Sequence, residues 1–547
     1  MDSRRLRPAY PARIARRPSE TEGRDALLAQ GRAPGRLRWA GAAAAGGALL
    51  FAICERVSAT ASITADSANA VLQGHAIAGG NVLLHGWTLS RASFLATDLP
   101  FYAFVAAFRG ATAAVAHDAA AAIFTLLVLS ACFLARGSGR RRAHGRDVLV
   151  RIAIPLVLLV APVPGAGAQL MLLGPFHVGT TLLIVLALLL VDGAADRLLG
   201  IAMIWALLSL AVMSDTLALY VGVVPLVFVY AVRLLGRRLL PWPDVGVLMA
   251  GVLALPTAAA LALTVHWLGG FTTVPLQAGL AGIGGLPKNL ALTIEGTLVV
   301  FGADFIGQPP GAVTLAAVVR LAGLAVVAVT WWRTAHSWRR GEPVDVIDQV
   351  LVVGMAVNVA AYLFSNQAID LWTSRYLVPL LVFGAVLAGR RGAGWLWQGR
   401  LRIPASAVAL AYSGVLAIGL ATPSAVSPEA AVGKFLEHHH LTYGVSGYWE
   451  AGTVTVATDG RVRVRAISVD GQGAYPYRWE ADDTWYDPST PGNDARFVLR
   501  DAAGLQPLDR QLTEHTFGPP SREYRVGRYE VLVWDRNLLN DLRPPPT

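Results

Sequence analysis

The strongest constraint on this chain is repetition of apolar length. Runs of 16 to 22 residues without a stable charge pattern recur from residue 39 to residue 421. Each is long enough to cross roughly 30 Å of hydrocarbon, where a backbone can satisfy its own hydrogen bonds only as a helix or a closed barrel. With 54% hydrophobic and 15% charged residues and a mean hydropathy of +0.49, a chain of 547 residues holds more apolar surface than a water-soluble core could use. The fold class is therefore a polytopic α-helical membrane protein. The expected spans are 39–56, 119–136, 149–164, 176–191, 198–213, 216–235, 245–266, 311–331, 347–364, 375–389 and 403–421, about 11 in all.

Charge placement orients these spans. Residues 1–38 carry ten arginines among prolines and glycines and read as a disordered cytoplasmic N-terminus. The connectors Arg136–Arg151, Arg233–Arg238, Arg333–Arg340 and Arg390–Arg402 are arginine-rich and fall on the same side when eleven spans are counted. The N-terminus is then inside and the C-terminus outside, with outer loops at 57–118 and 267–310. The net charge of +10 is explained by this topology rather than by nucleic acid, which is not expected as a partner. Leu99–Ala116 and Leu290–Phe305 are apolar but charge-bearing and read as membrane-packed helices on the outer side. Cys54 and Cys132 lie in apolar segments, so no disulfide framework or thiolate metal site is indicated.

From Thr422 the character changes. Residues 422–547 are polar with frequent Tyr and Trp, and read as a small extracytoplasmic α/β or β-containing domain. Gly452-Thr-Val-Thr-Val and Arg461-Val-Arg-Val read as two strands about an Asp459-Gly460 turn, and Tyr529–Asp535 as another strand. Either an accessory domain of a site or a stabilising cap fits this composition.

Ionisable residues at membrane depth are costly and point to function. Here they gather on the predicted outer face: Asp66, His85, Asp98, His177, Asp215, His266, Lys288 and Arg375. Asp66 is the leading candidate for a general base, since an ionised carboxylate near the membrane surface could take a proton from a hydroxyl. It could equally cap the helix that starts at Ser67. Asp98, directly before Leu99-Pro100, reads more readily as a cap. Arg375 in Ser374-Arg-Tyr-Leu377 could grip a phosphate bidentately, or snorkel to headgroups. Lys288 is a second cation of that kind, and Tyr376 stands beside Arg375. The histidine spacings match no tight zinc pattern. No cofactor is called for, although a divalent metal is compatible with the acidic residues.

In Thr64-Ala-Asp-Ser-Ala-Asn-Ala-Val71, Gly80-Asn-Val-Leu-Leu-His-Gly-Trp87, Thr97-Asp-Leu-Pro-Phe-Tyr102, Ser214-Asp215 and Ser374-Arg-Tyr-Leu377 the chain resembles the GT-C superfamily of integral-membrane glycosyltransferases, in particular bacterial, mannosyltransferase-like members. The resemblance covers most of residues 39–421, and Gly447-Tyr-Trp449 looks like part of the outer domain such enzymes append. It implies a polyprenyl-phosphate-sugar donor, a glycan, lipid or protein hydroxyl as acceptor, and transfer at the outer face of the cell membrane. Asp66 would then act on the acceptor. Arg375, with Lys288 and Tyr376, would hold the donor phosphate, and His85, Asp98, His177, Asp215 and His266 would support the acceptor side. Asp66 has Ser67 rather than a second acid as neighbour, which departs from metal-dependent members. A lipid-linked sugar flippase or polytopic transporter is the alternative. It would place polarity near mid-membrane, whereas this chain concentrates it on one face.

Overall fold

The computed structural model describes residues 33–138, 145–160, 164, 166–236, 241–274, 278–397 and 401–546. The expected disordered segment lies outside the described residues up to position 32, as do parts of the basic connectors at 139–144, 237–240 and 398–400. The chain divides into two units, Met1–Leu50 and Phe51–Thr547. Helix α1 (Ala33–Ser58) runs from the first into the second, and everything below concerns the second.

After α1 the first loop folds into α2 (Ala65–Ala78), a short strand β1 (Trp87–Leu89) and α3 (Leu99–Arg109). Helix α2 starts where it does because Thr64 and Ser67 form a reciprocal capping box, each side chain accepting from the other's backbone N–H at 3.2 and 3.3 Å. Its small buried face allows close approach: a Cβ on Gly74 would lie 2.7 Å from the Cβ of Tyr102 in α3. At 11 residues α3 extends only about 16 Å, half a hydrocarbon layer.

The helical body continues through α4 (Ala113–Arg136), α5 (Gly145–Leu159), α6 (Ala166–Leu172), α7 (Val178–Ala194), α8 (Leu198–Ser214), α9 (Val224–Leu235) and α10 (Trp242–Trp267). A two-residue strand β2 (Thr272–Thr273) precedes α11 (Leu286–Val300), α12 (Ala312–Arg339), α13 (Val346–Phe364), α14 (Val378–Leu387), α15 (Ala393–Trp397) and α16 (Arg402–Ala421). Among the described residues six helical runs are long and apolar enough to cross a membrane: α4, α10, α12, α13, the continuous run Leu371–Trp397 and α16. Helices α3, α7, α8 and the run Leu219–Leu235 are apolar but shorter. All ten residues of α14 are buried, so this helix forms the centre of the bundle. A tight 3₁₀ turn, Leu371–Leu377, leads into it, started by Asp370, whose carboxylate accepts from the Thr373 N–H at 3.1 Å.

The C-terminal part comprises α17 (Ala430–His438), β3 (Tyr443–Ser446), α18 (Tyr448–Ala457), β4 (Arg463–Asp470), β5 (Gly473–Pro476), β6 (Ala481–Asp482), β7 (Phe497–Asp501), α19 (Arg510–Phe517), β8 (Arg522–Val526) and β9 (Tyr529–Val533). Six strands form a mixed sheet in the order β5-β4-β3-β7-β9-β8, with β3 parallel to both β4 and β7. One core, around Val445, Phe517 and Trp534, and another, around Val454, Phe497 and Val531, fill out this region. The expected strand at Tyr529 is present as β9. The segment Gly452-Thr-Val-Thr-Val is not a strand but the body of α18, which corrects the sequence reading. Its β-branched residues are tolerated because the Thr453, Thr455 and Thr458 hydroxyls donate to carbonyls one turn back, while Val454 and Val456 are buried. Gly452 meets α2, where a Cβ would lie 2.7 Å from Asn69 Oδ1. The Asp459-Gly460 turn does form, but it joins a helix to β4.

Two junctions fix this region on the first loop. Helix α18 packs on α2. Strand β1 is the middle of a small sheet, parallel to β2 and antiparallel to β6, with Trp87 opposite Asp482. The first loop is thus held between the bundle and the C-terminal sheet.

Candidate active site

Between these parts lies a cavity of about 680 Å³. Its wall combines the first loop (Asp66, Ser90, Arg91, Phe94), helix-end segments of the bundle (Phe176, His177, Asp215, Tyr362, Trp372, Arg375, Tyr376) and the C-terminal region (Tyr448, Trp449, Tyr477, Trp479, Glu480). The lining is aromatic with a few converging polar groups, as expected of a pocket that holds an organic substrate.

Asp66 occupies the first turn of α2 and does not cap it, because Thr64 does. Its carboxylate is left for the cavity. Oδ1 accepts from the Tyr448 hydroxyl at 2.7 Å, and Oδ2 stands 3.3 Å from Arg375 Nη1. The two side chains keep about one fifth of their area exposed, 19% for Asp66 and 22% for Arg375. The Arg375 guanidinium also faces the ring of Phe176, 5.0 Å from its centroid, and its Nε is buried without a hydrogen-bond partner. The 3₁₀ turn that carries Arg375 is braced by Tyr362, whose hydroxyl lies 2.9 Å from Thr373 Oγ1, and by Asn358, which donates to the Tyr376 carbonyl at 2.9 Å.

The Tyr448 hydroxyl is also 3.4 Å from Glu480 Oε2, so it stands between two carboxylates. Glu480 is 9% exposed and sits in the left-handed region at φ 54°. Burial, and next the charge of Asp66, push its carboxyl up to about 8, against hydrogen bonds from Ser90 and Asn69 and the charge of Arg375. Glu480 is thereby biased toward its protonated form, while Arg375 provides a counter-charge for Asp66. Burial, followed by the Glu480 and Asp66 charges, likewise holds the Tyr448 phenol well above its ordinary range.

On the bundle side, His177 Nδ1 donates to Asp215 Oδ2 at 2.6 Å, and the Thr180 hydroxyl donates to the same oxygen at 2.7 Å. The Leu217 N–H donates to Asp215 Oδ1 at 2.9 Å. His177 opens α7 at φ 67°, and its ring lies 4.6 Å from that of Tyr376. His177, Asp215 and Tyr376 line the cavity together with Arg375.

Of the residues singled out in the sequence, Asp66, Arg375, Tyr376, His177 and Asp215 meet at the cavity. The others do not. Asp98 is fully buried outside its lining, where Oδ1 accepts from the Gly179 N–H at 3.3 Å, and its side chain makes no cap bond to α3. Lys288 is exposed in the first turn of α11, and His266 is exposed in the last turn of α10. His85 is exposed, with Nδ1 2.7 Å from the Gly269 carbonyl. Tyr448 and Glu480 also line the cavity, and no sequence pattern marks them as site residues. Gly447-Tyr-Trp449 stood out only as an outer-domain feature, and nothing around Glu480 distinguishes it from other acids of that region. Among the described residues no three His, Cys, Asp or Glu side chains gather to hold a metal ion.

No family model matches the chain, and no curated protein matches it in sequence. Among solved structures it is similar to a crystal structure of an Archaeoglobus fulgidus oligosaccharyltransferase in complex with zinc and sulfate. The identity is 12% and the TM-score 0.42, over 83% of this chain and 68% of that one.

Proposed function

We propose that the protein is a membrane glycosyltransferase that moves a sugar from a polyprenyl-phosphate-linked donor to a hydroxyl acceptor at the outer face of the cell membrane. The C-terminal region is then extracytoplasmic. The observation that carries this reading is a partly exposed carboxylate, Asp66, set against a guanidinium, Arg375, in an aromatic cavity of about 680 Å³ at the loop ends of a helical bundle.

The chemistry divides between the two groups. Asp66 accepts the proton of the acceptor hydroxyl as its oxygen bonds to the sugar C1. The bond from C1 to the phosphate oxygen breaks, and its electron pair stays on that oxygen. Arg375 stabilises the charge that builds there. At 3.3 Å the two groups are too close to hold a sugar ring between them, so the ion pair opens when substrate enters. The donor phosphate supplies the competing anion. Once it takes Arg375, Asp66 loses its counter-charge beside Glu480, and the carboxylate is released toward the acceptor. Lys288 lies away from the cavity, so in this reading Arg375 serves the phosphate without it. Tyr376 and the His177–Asp215 pair fix the floor on which Arg375 moves. The aromatic rings Trp372, Trp449 and Trp479 offer stacking faces for the sugar.

The test is transfer by the purified full chain, presented with polyprenyl-monophosphate hexoses and pentoses. Asp66→Asn should lose transfer by about 10²–10⁴-fold, the span of a positioned base, with an unchanged melting profile. Full transfer by a well-folded variant would remove Asp66 from the chemistry.

A further inference from the structure

The helical run Leu371–Trp397 begins at the cavity with Arg375 and ends at a second pocket. Fifteen residues of helix separate Arg375 from Arg390, about 22 Å, so this pocket lies at the far end of the bundle. Its volume is about 250 Å³, and its wall includes Arg151 from α5, Arg333 and Ser337 from α12, and Arg390, Arg391 and Trp395 at the end of the run.

The charges there are arranged unevenly. Arg390 is fastened from behind: Nε donates to Asp348 at 2.6 Å, Nη2 to Asp345 at 2.9 Å, and Nη1 to the Leu134 carbonyl at 2.8 Å. Asp192 is 3.6 Å away, and Asp348 also lies 3.9 Å from Arg391. None of these aspartates lines the pocket. Arg151 and Arg333 have no carboxylate within ion-pair distance among the described residues. Arg151 and Arg390 converge beside Gly137: a Cβ there would lie in ordinary contact with both, 3.5 Å from Arg390 Nη1 and 3.9 Å from Arg151 Nη1. Among the described residues the pocket wall therefore shows four guanidinium groups and no acid, with the three aspartates offsetting Arg390 from behind. Like charges brought together between apolar helices are costly unless an anion joins them.

We infer that this pocket binds a phosphate group at the membrane–water boundary, the headgroup of an anionic lipid or free inorganic phosphate. Guanidinium forks match phosphate oxygens in pairs, and basic pockets between transmembrane helices are of the kind that take anionic headgroups. The indoles place the pocket at headgroup level. Trp395 lies under Arg333, 5.7 Å from ring centroid to guanidinium carbon, and Trp332 is 60% exposed and stacked on His336. Arg390 is the fixed member, while Arg151 and Arg333 carry no ion pair among the described residues and are the members that close on the ligand.

Native mass spectrometry of the full chain in neutral detergent tests this without reference to any transfer activity. Phosphatidylglycerol and phosphatidylcholine are offered at equal concentration, and inorganic phosphate is titrated separately. The wild type should retain phosphatidylglycerol over phosphatidylcholine, and Arg151→Gln with Arg333→Gln should lower that occupancy about tenfold, a loss of about 1.4 kcal/mol. Ser337→Trp, which fills the pocket and leaves every arginine in place, should lower it as well. Arginine-dependent retention of phosphatidylglycerol assigns the pocket to a lipid headgroup, and arginine-dependent binding of phosphate alone assigns it to the free anion. Binding that survives Ser337→Trp would reflect diffuse surface charge and overturn the inference, as would equal retention of both lipids together with no binding of phosphate.

Discussion

Two aspartates of the first loop stand at the starts of two helices packed against each other, yet their surroundings are opposite. Asp66, on α2, faces a cavity with a guanidinium at 3.3 Å and a tyrosine hydroxyl at 2.7 Å. Asp98, before α3, is sealed beneath α7. A Cβ on Gly179 would lie 2.5 Å from its Oδ2, and that oxygen has no hydrogen-bond partner. Asp66 has a cation and an open side; Asp98 has neither. The contrast teaches that acidity in a loop does not by itself identify a site. Access and a counter-charge decide which carboxylate can exchange protons with a substrate, and burial makes the other a feature of packing.

The sharpest way to break this contrast is to remove each charge while keeping shape. Asp66→Asn should cost transfer about 10²–10⁴-fold and leave stability nearly unchanged. Asp98→Asn should leave transfer nearly unchanged and alter stability instead. Burial, opposed by the Gly179 N–H and the neighbouring Thr97 hydroxyl and aided by the Asp215 charge, pushes the Asp98 carboxyl up to about 7 from its ordinary 3.8. The protonated form is thus favoured in the folded chain. Its contribution to stability is complete below pH 3.8 and is lost as pH rises through about 7. For a shift of about three units the full loss is at most about 4 kcal/mol. The amide introduced by Asp98→Asn cannot ionise, so the difference in melting temperature between variant and wild type should grow from pH 5 to pH 8 in favour of the variant. A constant difference across that range would place Asp98 in contact with solvent.

The next effect concerns the cation. Arg375→Lys keeps the charge but loses the planar fork and its stacking on Phe176. It should raise the KM for the polyprenyl-phosphate donor about tenfold, with a smaller change for the acceptor. If both constants stay the same, Arg375 is there to hold Asp66 and not the donor.

How legible all this was in the sequence follows from chain separation. The helical body could be read because apolar length and the siting of arginines are local properties. Asp66 and Arg375, 309 positions apart, were each noticed because each breaks an apolar context near a predicted membrane face. Their direct pairing was not legible, since no local pattern encodes a contact at that distance. Asp66 could not be told from a cap until Thr64 and Ser67 were seen to close the box themselves. His85, His266 and Lys288 shared the predicted face but not the cavity, because sidedness fixes depth and leaves position within the face undetermined. Glu480 and Tyr448 are not legible for a related reason. They come from a region where acids and aromatics are common, and only the docking of α18 on α2 and of β6 on β1 turns them toward Asp66. The same docking explains the helix at Gly452-Thr-Val-Thr-Val, where packing against Asn69 and the sheet outweighs the strand preference of the β-branched residues.

The smallest expected effect tests whether that docked region takes part in the site. Glu480 faces Asp66, Arg375, Tyr448 and Tyr477 around the cavity, and its carboxyl is pushed up to about 8 because burial and then the Asp66 charge oppose ionisation. Below that pH it is neutral, and only Asp66 competes with the donor phosphate for Arg375. Above it, Glu480 becomes a second anion within reach of the same guanidinium, so donor binding by the wild type should weaken severalfold between pH 7 and pH 9. Glu480→Gln stays neutral and keeps one acceptor oxygen for the Tyr448 hydroxyl, so its donor KM should stay flat across that interval and match the wild type at pH 7. The acceptor KM should change little in either protein. A variant that weakens donor binding equally at every pH would show that Glu480 shapes the wall by size alone. The contribution of the C-terminal region would then be enclosure, not charge.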